Sequence, residues 1–255
     1  MTITFEALEA LVMETDAIAI HYFAQGVSVQ QKADASPVTQ ADCEIESVID
    51  RWRQTHYPGV GIWGEEWGQK GEGSPCRLIV DPIDGTRNFI GGNPVFATLI
   101  GVEVHGELVM GMVSAPAMAR RWWGQVGLGA WGSGPEGSRP LRVSSTDELS
   151  QAQVFHGSLY GVESPPDEGW MRVLKGTYRQ RGVGDFFSHV LVASGAGDYS
   201  VDDGLKAWDM AALVPIVVGA GGKVSNWDGG FSLAVPTLLC SNGHLHDQVI
   251  QQLRG

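Results

Sequence analysis

The sequence predicts a mixed α/β protein, with an α+β first half and an α/β second half. Three observations carry this. Two apolar stripes at helical spacing open the chain, short strand-like runs bounded by Gly and Pro fill the middle, and strand and helix patterns alternate in the second half. The 255 residues are enough to bury a core without a disulfide or metal staple.

Leu8, Leu11, Val12, Thr15, Ala19, Tyr22 and Phe23 recur at helical spacing, and Gly26 is the stop. A polar stretch from Gln30 to Pro37 follows. Ile45, Val48, Ile49 and Trp52 again repeat helically. Asp42 falls at the N-terminal end of that stripe, as a cap or as a functional group aimed inward. Leu78-Ile79-Val80 reads as a buried strand ending at Asp81. Thr98 to Val104 and Leu108 to Val113 flank His105-Gly106-Glu107 as a hairpin, and Arg121-Trp122-Trp123 is a further short strand. Residues 132–140, rich in Gly, Ser and Pro, read as a surface loop. Val154 to Leu159 predicts a strand, Phe186 to Ser194 a helix and Tyr199 to Val201 a strand. Trp208 to Ala220 is apolar on all sides and predicts one buried helix, bent at Pro215. Gly219 to Gly222 lets that helix end and the chain turn. Lys223 to Trp227 and Thr237 to Cys240 are late strands, and Leu245 to Leu253 closes the chain as a helix. A division near residue 140 separates the halves 1–140 and 141–255 of one compact unit.

Lys and Arg total 17 against 29 Asp and Glu, a formal charge of −12. This excludes a broad basic surface for nucleic acid or an anionic membrane. No apolar run approaches the ~20 residues of a membrane span, and no basic-then-apolar segment opens the chain. Cys43, Cys76 and Cys240 are widely spaced, without zinc-type spacing. The expectation is a cytoplasmic protein with thiols in a reducing compartment.

Asp81-Pro82-Ile83-Asp84-Gly85-Thr86 is the most informative segment. Two carboxylates three residues apart flank a proline at a strand end. Such acids repel unless a proton or cation lies between them, and hard divalent cations take oxygen ligands of this kind. The Gly85 and Thr86 amides are placed to donate to a phosphate oxygen. Read alone, the segment is also a Pro/Gly turn with solvated acids. Gly64-Glu65-Glu66-Trp67 alone is a charged face, and Asp209 in Trp208-Asp209-Met210-Ala211-Ala212 alone is a helix cap.

Together, and in this order, the three motifs resemble the inositol monophosphatase family of magnesium-dependent phosphatases. Matching texture runs from Ser36-Pro37-Val38-Thr39 through Gly219-Ala220-Gly221-Gly222 to the C-terminus. The resemblance implies a layered αβαβα sugar-phosphatase fold and hydrolysis of a small phosphate monoester by metal-activated water, with two or three Mg²⁺ per site. It implies Glu65, Asp81 and the Ile83 carbonyl as ligands of one ion, and Asp81, Asp84 and Asp209 as ligands of a second. Thr86 and Asp42, with Glu65, would be the catalytic residues, the first two orienting the water. The Gly85 and Thr86 amides would hold the phosphate, and Glu66 would stand outside the ligands. Most ligands thus fall in the first half, with Asp209 and the substrate-pocket residues in the second. Lys32 would approach from the segment before Ser36. Members of the family commonly form homodimers.

Within the family, the texture resembles the histidinol-phosphate phosphatase branch. Arg87 after the Gly-Thr, the run Asn93 to Ile100, Arg120-Arg121-Trp122-Trp123 and Gly184 to His189 carry this likeness. Asp185 and Asp202 fall where inositol enzymes meet the sugar. Two acids there suit an amine or imidazolium, as in histidinol phosphate, better than a neutral polyol. Asp185 alternatively caps the helix from Phe186, Asp202 is alternatively a turn acid, and Arg87 alternatively faces solvent. An inositol or broader sugar monophosphatase is the rival within the class. A glycosidase using Asp81 and Asp84 is a rival outside it, and a binding module a third. His189 reads as a core or pocket-wall residue, His244 and His246 as surface residues, and Trp122 and Trp123 as core or a dimer contact.

Overall fold

The computed structural model describes residues 3–26, 29–31, 37–159 and 168–254. The first half contains helix α1 (Phe5–Gln25), strands β1 (Val29–Gln31) and β2 (Pro37–Thr39), and helix α2 (Gln40–His56). Strands β3 (Gly61–Gly64), β4 (Gly68–Lys70) and β5 (Cys76–Asp84), short helix α3 (Thr86–Ile90), and strands β6 (Ala97–Val104), β7 (Glu107–Ala115), β8 (Arg120–Gln125), β9 (Gly129–Gly134) and β10 (Gly137–Pro140) follow. Then come β11 (Gln153–His156), α4 (Glu168–Lys175), β12 (Arg179–Gly182), α5 (Asp185–Ala193) and β13 (Tyr199–Asp203). The chain closes with α6 (Ala207–Ala211), α7 (Leu213–Gly219), β14 (Lys223–Ser225), β15 (Thr237–Ser241) and α8 (His246–Arg254).

Strands β3 to β10 form one sheet in the order β10-β9-β8-β7-β6-β5-β3-β4, and β11 to β15 a second in the order β12-β11-β13-β15-β14. Strand alternation sorts the apolar residues between layers. Val80, Ile100 and Met112 pack with Leu8, Leu11, Ile45 and Ile49 of α1 and α2. Their neighbours Leu99 and Val113 face the other way, onto Phe186, Val190, Ile216 and Val217 of α5 and α7. On the far side, Tyr199, Val201 and Leu239 of the smaller sheet meet Trp170, Leu174, Val249 and Leu253 of α4 and α8. Leu238 and Cys240 of the smaller sheet join the α5 and α7 cluster from its other side, so four apolar interfaces separate five layers in the order αβαβα, which is the architecture the resemblance implies.

A glycine trough seats α6 and α7 on the large sheet. Gly101, Gly111 and Gly124 are register partners across β6, β7 and β8, followed by Ala130 on β9. A Cβ on Gly101 would lie 2.7 Å from Ala211, one on Gly111 1.9 Å from the Ala212 carbonyl oxygen, and one on Gly124 2.6 Å from the Ile216 Cα. The helix backbone therefore rests directly on the sheet backbone, and Ala211-Ala212 are small for the same reason.

Four expectations are corrected. Residues 132–140 are not a surface loop: they belong to the β9–β10 hairpin, in which Pro140 pairs with Trp131. This is an exposed edge, where ladder bonds rather than apolar burial hold the strand and a proline is tolerated. Trp208 to Ala220 is two helices, not one. The break is at Ala212, because Pro215 lacks an N–H for the Ala211 carbonyl and its ring crowds that group. The strand containing Leu78-Ile79-Val80 does not end at Asp81 but runs to Asp84. His246 is buried, not on the surface, because it opens α8, whose Val249 and Leu253 face the smaller sheet. Its ring nitrogens lie 2.8 Å from Ser241 Oγ and 2.9 Å from Ser225 Oγ, and burial pulls its pKa down to about 4. Trp122 is in the core, and Trp123 stacks on Phe5 at 4.6 Å.

The trough predicts that Gly111→Ala costs on the order of 1–3 kcal/mol in chemical denaturation, since an added methyl meets backbone rather than a yielding side chain. A loss below about 0.5 kcal/mol, the ordinary surface value, would show that α6–α7 is not seated this way.

Candidate active site

The site begins with a bulge. Along a regular strand, residues three apart point to opposite faces, so Asp81 and Asp84 would be separated by the sheet. In β5 the pairing shifts: Asp81 is opposite Leu99, but Asp84 is opposite Ala97. One extra residue is accommodated on β5. Pro82 lies in the gap, and its carbonyl accepts from Thr98 Oγ1 at 2.8 Å. The bulge turns Asp84 to the same side as Asp81. A carboxylate oxygen from each of Asp81, Asp84 and Asp209 lies within 4.8 Å of the others.

Glu65 arrives by strand adjacency. Gly64 of β3 pairs in parallel with Val80 of β5, and the Glu65 N–H donates to the Val80 carbonyl at 3.2 Å, beside Asp81. The turn 65–67 is held from below by Glu46, whose two oxygens accept from the Glu66 N–H at 2.8 Å and the Trp67 N–H at 2.9 Å.

Three acids anchor one oxygen each at a helix start. Asp42 Oδ2 accepts from the Thr39 N–H at 2.8 Å and Thr39 Oγ1 at 2.5 Å, closing the first turn of α2. Asp209 Oδ2 accepts from the Lys206 N–H at 2.7 Å at the start of α6. Asp84 Oδ2 accepts from the Phe186 N–H at 2.7 Å in the first turn of α5. Asp185 therefore does not cap that helix. Its Oδ2 instead accepts from Asn88 Nδ2 at 2.8 Å, and its φ of 50° is a conformation that non-glycine residues rarely adopt.

Burial and crowding push these carboxyls upward together. Burial, then the charges of Glu65, Asp84 and Asp209, holds Asp81 well above the usual carboxylate range. Burial, then Asp185 and Asp209, does the same for Asp84. Burial raises Asp42 to about 7, against its Thr39 hydrogen bonds, and Asp185 to about 6. Asp209 is raised to about 6, again chiefly by burial.

The other expected residues fall around this group. The Ile83 carbonyl accepts from Thr86 Oγ1 at 3.0 Å. Gly85 opens α3 at φ 80°, where a Cβ would meet the Val95 carbonyl at 2.9 Å. Arg87 is exposed on α3, and Glu66 is half-buried beside Glu65. Asp202 is buried on β13, against Gly157, with His189 Nε2 3.9 Å from its Oδ2. After burial, the charge of Asp185 is the main influence raising its pKa. His189 is fully enclosed, bonded to Ser200 Oγ at 2.9 Å, and burial lowers its pKa to about 3. His244 is exposed. Lys32 and Ser36 lie outside the described residues. Glu46, Asn88 and Thr39 carry site geometry that motif reading passes over. The available signal for Glu46 was an acid between Ile45 and Ile49, one helical turn after Asp42.

The donor set fits a hard divalent cation. It is all oxygen, its members crowd one another, and Asp81 Oδ1 is buried without a hydrogen-bond partner. The profile of the inositol monophosphatase family matches residues 3–255, so the chain belongs to that family of metal-dependent phosphatases. Histidinol-phosphatase of Mycobacterium tuberculosis (strain ATCC 25618 / H37Rv) is 39% identical, covering 92% of this chain and 91% of its own length. Inositol-1-monophosphatase of Mesorhizobium japonicum is 34% identical, covering 81% and 78%. The crystal structure of the extragenic suppressor protein suhB from Bartonella henselae superposes with a TM-score of 0.89 at 28% identity, covering 98% and 97%. Among the described residues no helix is long and apolar enough to cross a membrane.

The raised carboxyls set the sign of a pH effect. Asp42, normally near 3.8, titrates at about 7 in the fold. Its contribution to stability is full below its unfolded pKa and lost as pH rises through its folded one. The metal-free protein should therefore melt at a lower temperature at about pH 7.5 than at about pH 5, and saturating Mg²⁺ should raise the melting temperature more at the higher pH. A cation effect equal at both pH values would contradict the site described.

Proposed function

We propose that the chain is a Mg²⁺-dependent phosphatase that hydrolyses histidinol phosphate to histidinol and phosphate, a step of histidine synthesis. The observation that carries this reading is the clustered set of buried Asp81 and Asp84 with half-buried Asp209, and a further acid, Asp185, bonded to Asn88. Glu65, Asp81, the Ile83 carbonyl, Asp84 and Asp209 would hold the ions. When bound, divalent cations neutralise a phosphate dianion and clamp the attacking and leaving oxygens of an in-line displacement.

The chain supplies the rest. Thr86 Oγ1 donates its hydrogen bond to the Ile83 carbonyl and keeps lone pairs for a water. Asp42 has its Oδ2 engaged by Thr39, and its carboxylate has a second oxygen with which, beside Thr86, it would orient one water. α3 packs on β2, which brings Thr86 to the start of α2. A carboxyl titrating near 7 is matched to accepting a proton at neutral pH. The Gly85 and Thr86 amides open α3 toward the phosphate, and Arg87 stands one residue further on.

Asp185 and Asp202 support a cationic substrate. The charge of Asp185 raises the cost of ionising Asp202, and a bound amine or imidazolium would relieve it. The relative named histidinol-phosphatase, at 39% identity, supports the same choice. The relative named inositol-1-monophosphatase supports the alternative, an inositol or broader sugar monophosphatase. Our reading further holds the enzyme to be cytoplasmic and homodimeric.

With saturating Mg²⁺, kcat/KM for histidinol phosphate should exceed that for myo-inositol 1-phosphate, and Asp185→Asn should shrink the ratio by about tenfold, or 1.4 kcal/mol. A wild-type preference for the inositol ester would overturn the substrate. Asp84→Asn should lower kcat/KM for either ester by at least about 100-fold, the upper range for residues that only support a metal ligand. Near-normal Mg²⁺-dependent turnover in that variant would remove Asp84 from the cation site.

A further inference from the structure

We propose that Glu46 is a positioning residue for the cation site, aiming Glu65 by holding the turn on which Glu65 sits. The inference rests on the acidic cation site described above and is independent of which ester is hydrolysed.

Glu46 is buried at 1% exposure, deep on α2. Among the described residues its carboxylate meets no cationic side chain. Each oxygen instead accepts one main-chain N–H of the turn, from Glu66 and from Trp67. These are the two amides immediately after Glu65. The turn is short: Gly64 pairs with Gly68 across β3 and β4, and Gly68 closes it at φ 69°. Two amides pointing inward from three loop residues leave little freedom for the Glu65 backbone.

A second feature converges on the same carboxylate. A Cβ on Gly64 would lie 2.0 Å from Glu46 Oε1 and 2.6 Å from Oε2. Gly64 is therefore side-chain-free where the carboxylate presses against the strand. Its φ lies outside the left-handed region, so backbone conformation does not require glycine there. The space itself is what the position supplies.

The acid is costly where it stands. Burial, and the charges of Glu66 and Glu65, push its pKa upward despite the two amide bonds. A neutral Gln at this position has only one carbonyl oxygen and would turn an NH₂ toward the second amide. A carboxylate is the side chain that satisfies both donors at once. Because Asp42 is one helical turn away on α2, the same rigid helix sets Asp42 and the direction of Glu65. Partners standing behind a metal ligand commonly carry a 10–100-fold effect on metal affinity.

The test is calorimetric titration of the metal-free full chain with Mg²⁺, with no substrate present. Glu46→Gln is expected to weaken Mg²⁺ binding by about 10–100-fold. Gly64→Ala attacks the same contact from the strand side and meets only the end of a side chain, so it is expected to fold and to weaken Mg²⁺ comparably. The double variant should be no weaker than the weaker single, because both remove one link. In turnover assays the Mg²⁺ concentration for half-maximal rate should rise by the same factor, while the substrate KM at saturating Mg²⁺ stays within about twofold. Mg²⁺ affinity within about twofold of wild type in either folded variant, or additive losses in the double, would overturn the proposal. Failure of the wild type to bind Mg²⁺ would overturn the cation site and this inference together. Wild-type binding with unchanged variants would overturn this inference alone.

Discussion

Everything in this site depends on holding like charges together. Asp42, Asp81, Asp84, Asp185 and Asp209 are brought into a largely buried space, and each is harder to ionise there than in water. The fold's answer is main-chain N–H groups. Thr39, Phe186 and Lys206 each donate to one oxygen of Asp42, Asp84 and Asp209, at the first turns of α2, α5 and α6. Helix starts are the one part of regular structure with spare donors and a favourable dipole for an anion. Among the described residues the opposite oxygen of each acid accepts no backbone N–H. Side-chain cations among the described residues take no part in this anchoring, which is consistent with a chain whose net charge is −12.

Converging three helix starts requires precise packing of α6 and α7. The trough at Gly101, Gly111 and Gly124 provides it by bringing the helices to backbone contact with β6, β7 and β8. The break at Ala212, imposed by Pro215, lets short α6 tilt independently of α7. Trp208, just before Asp209, meets Trp63 edge-on at 6.2 Å, just before Gly64 and Glu65. The two elements bearing Glu65 and Asp209 therefore brace each other through aromatic rings as well as through the sheet.

Much of this was legible in the residues. Helical spacing identified α1 and α2, and hairpin signals identified β6 and β7 around His105-Gly106, whose positive φ values suit a tight hairpin turn. The acids that cluster came from the motifs taken together. What was not legible depended on contacts between distant residues. The β9–β10 edge lacked an apolar pattern because it buries little, and β3 and β4 are too short for a period. Glu46 looked like an ordinary helical acid, since its partners are amides 20 and 21 residues away. The side of the strand on which Asp84 emerges was illegible too, because a bulge is a property of the pair of strands and not of one.

That bulge makes chain length part of the chemistry. Asp81 and Asp84 share a face only because β5 carries one residue more than β6 over the same stretch. Inserting one residue into β6 between Ala97 and Leu99 would restore a regular ladder, which is the easier structure to build. The sheet would remain and every acid would still be encoded, yet the carboxylate at position 84 would emerge toward α1 and α2. Composition here matters less than register: at Ile83 the group that meets Thr86 Oγ1 is a main-chain carbonyl, whereas the side on which Asp84 emerges is set by the residue counts of two strands.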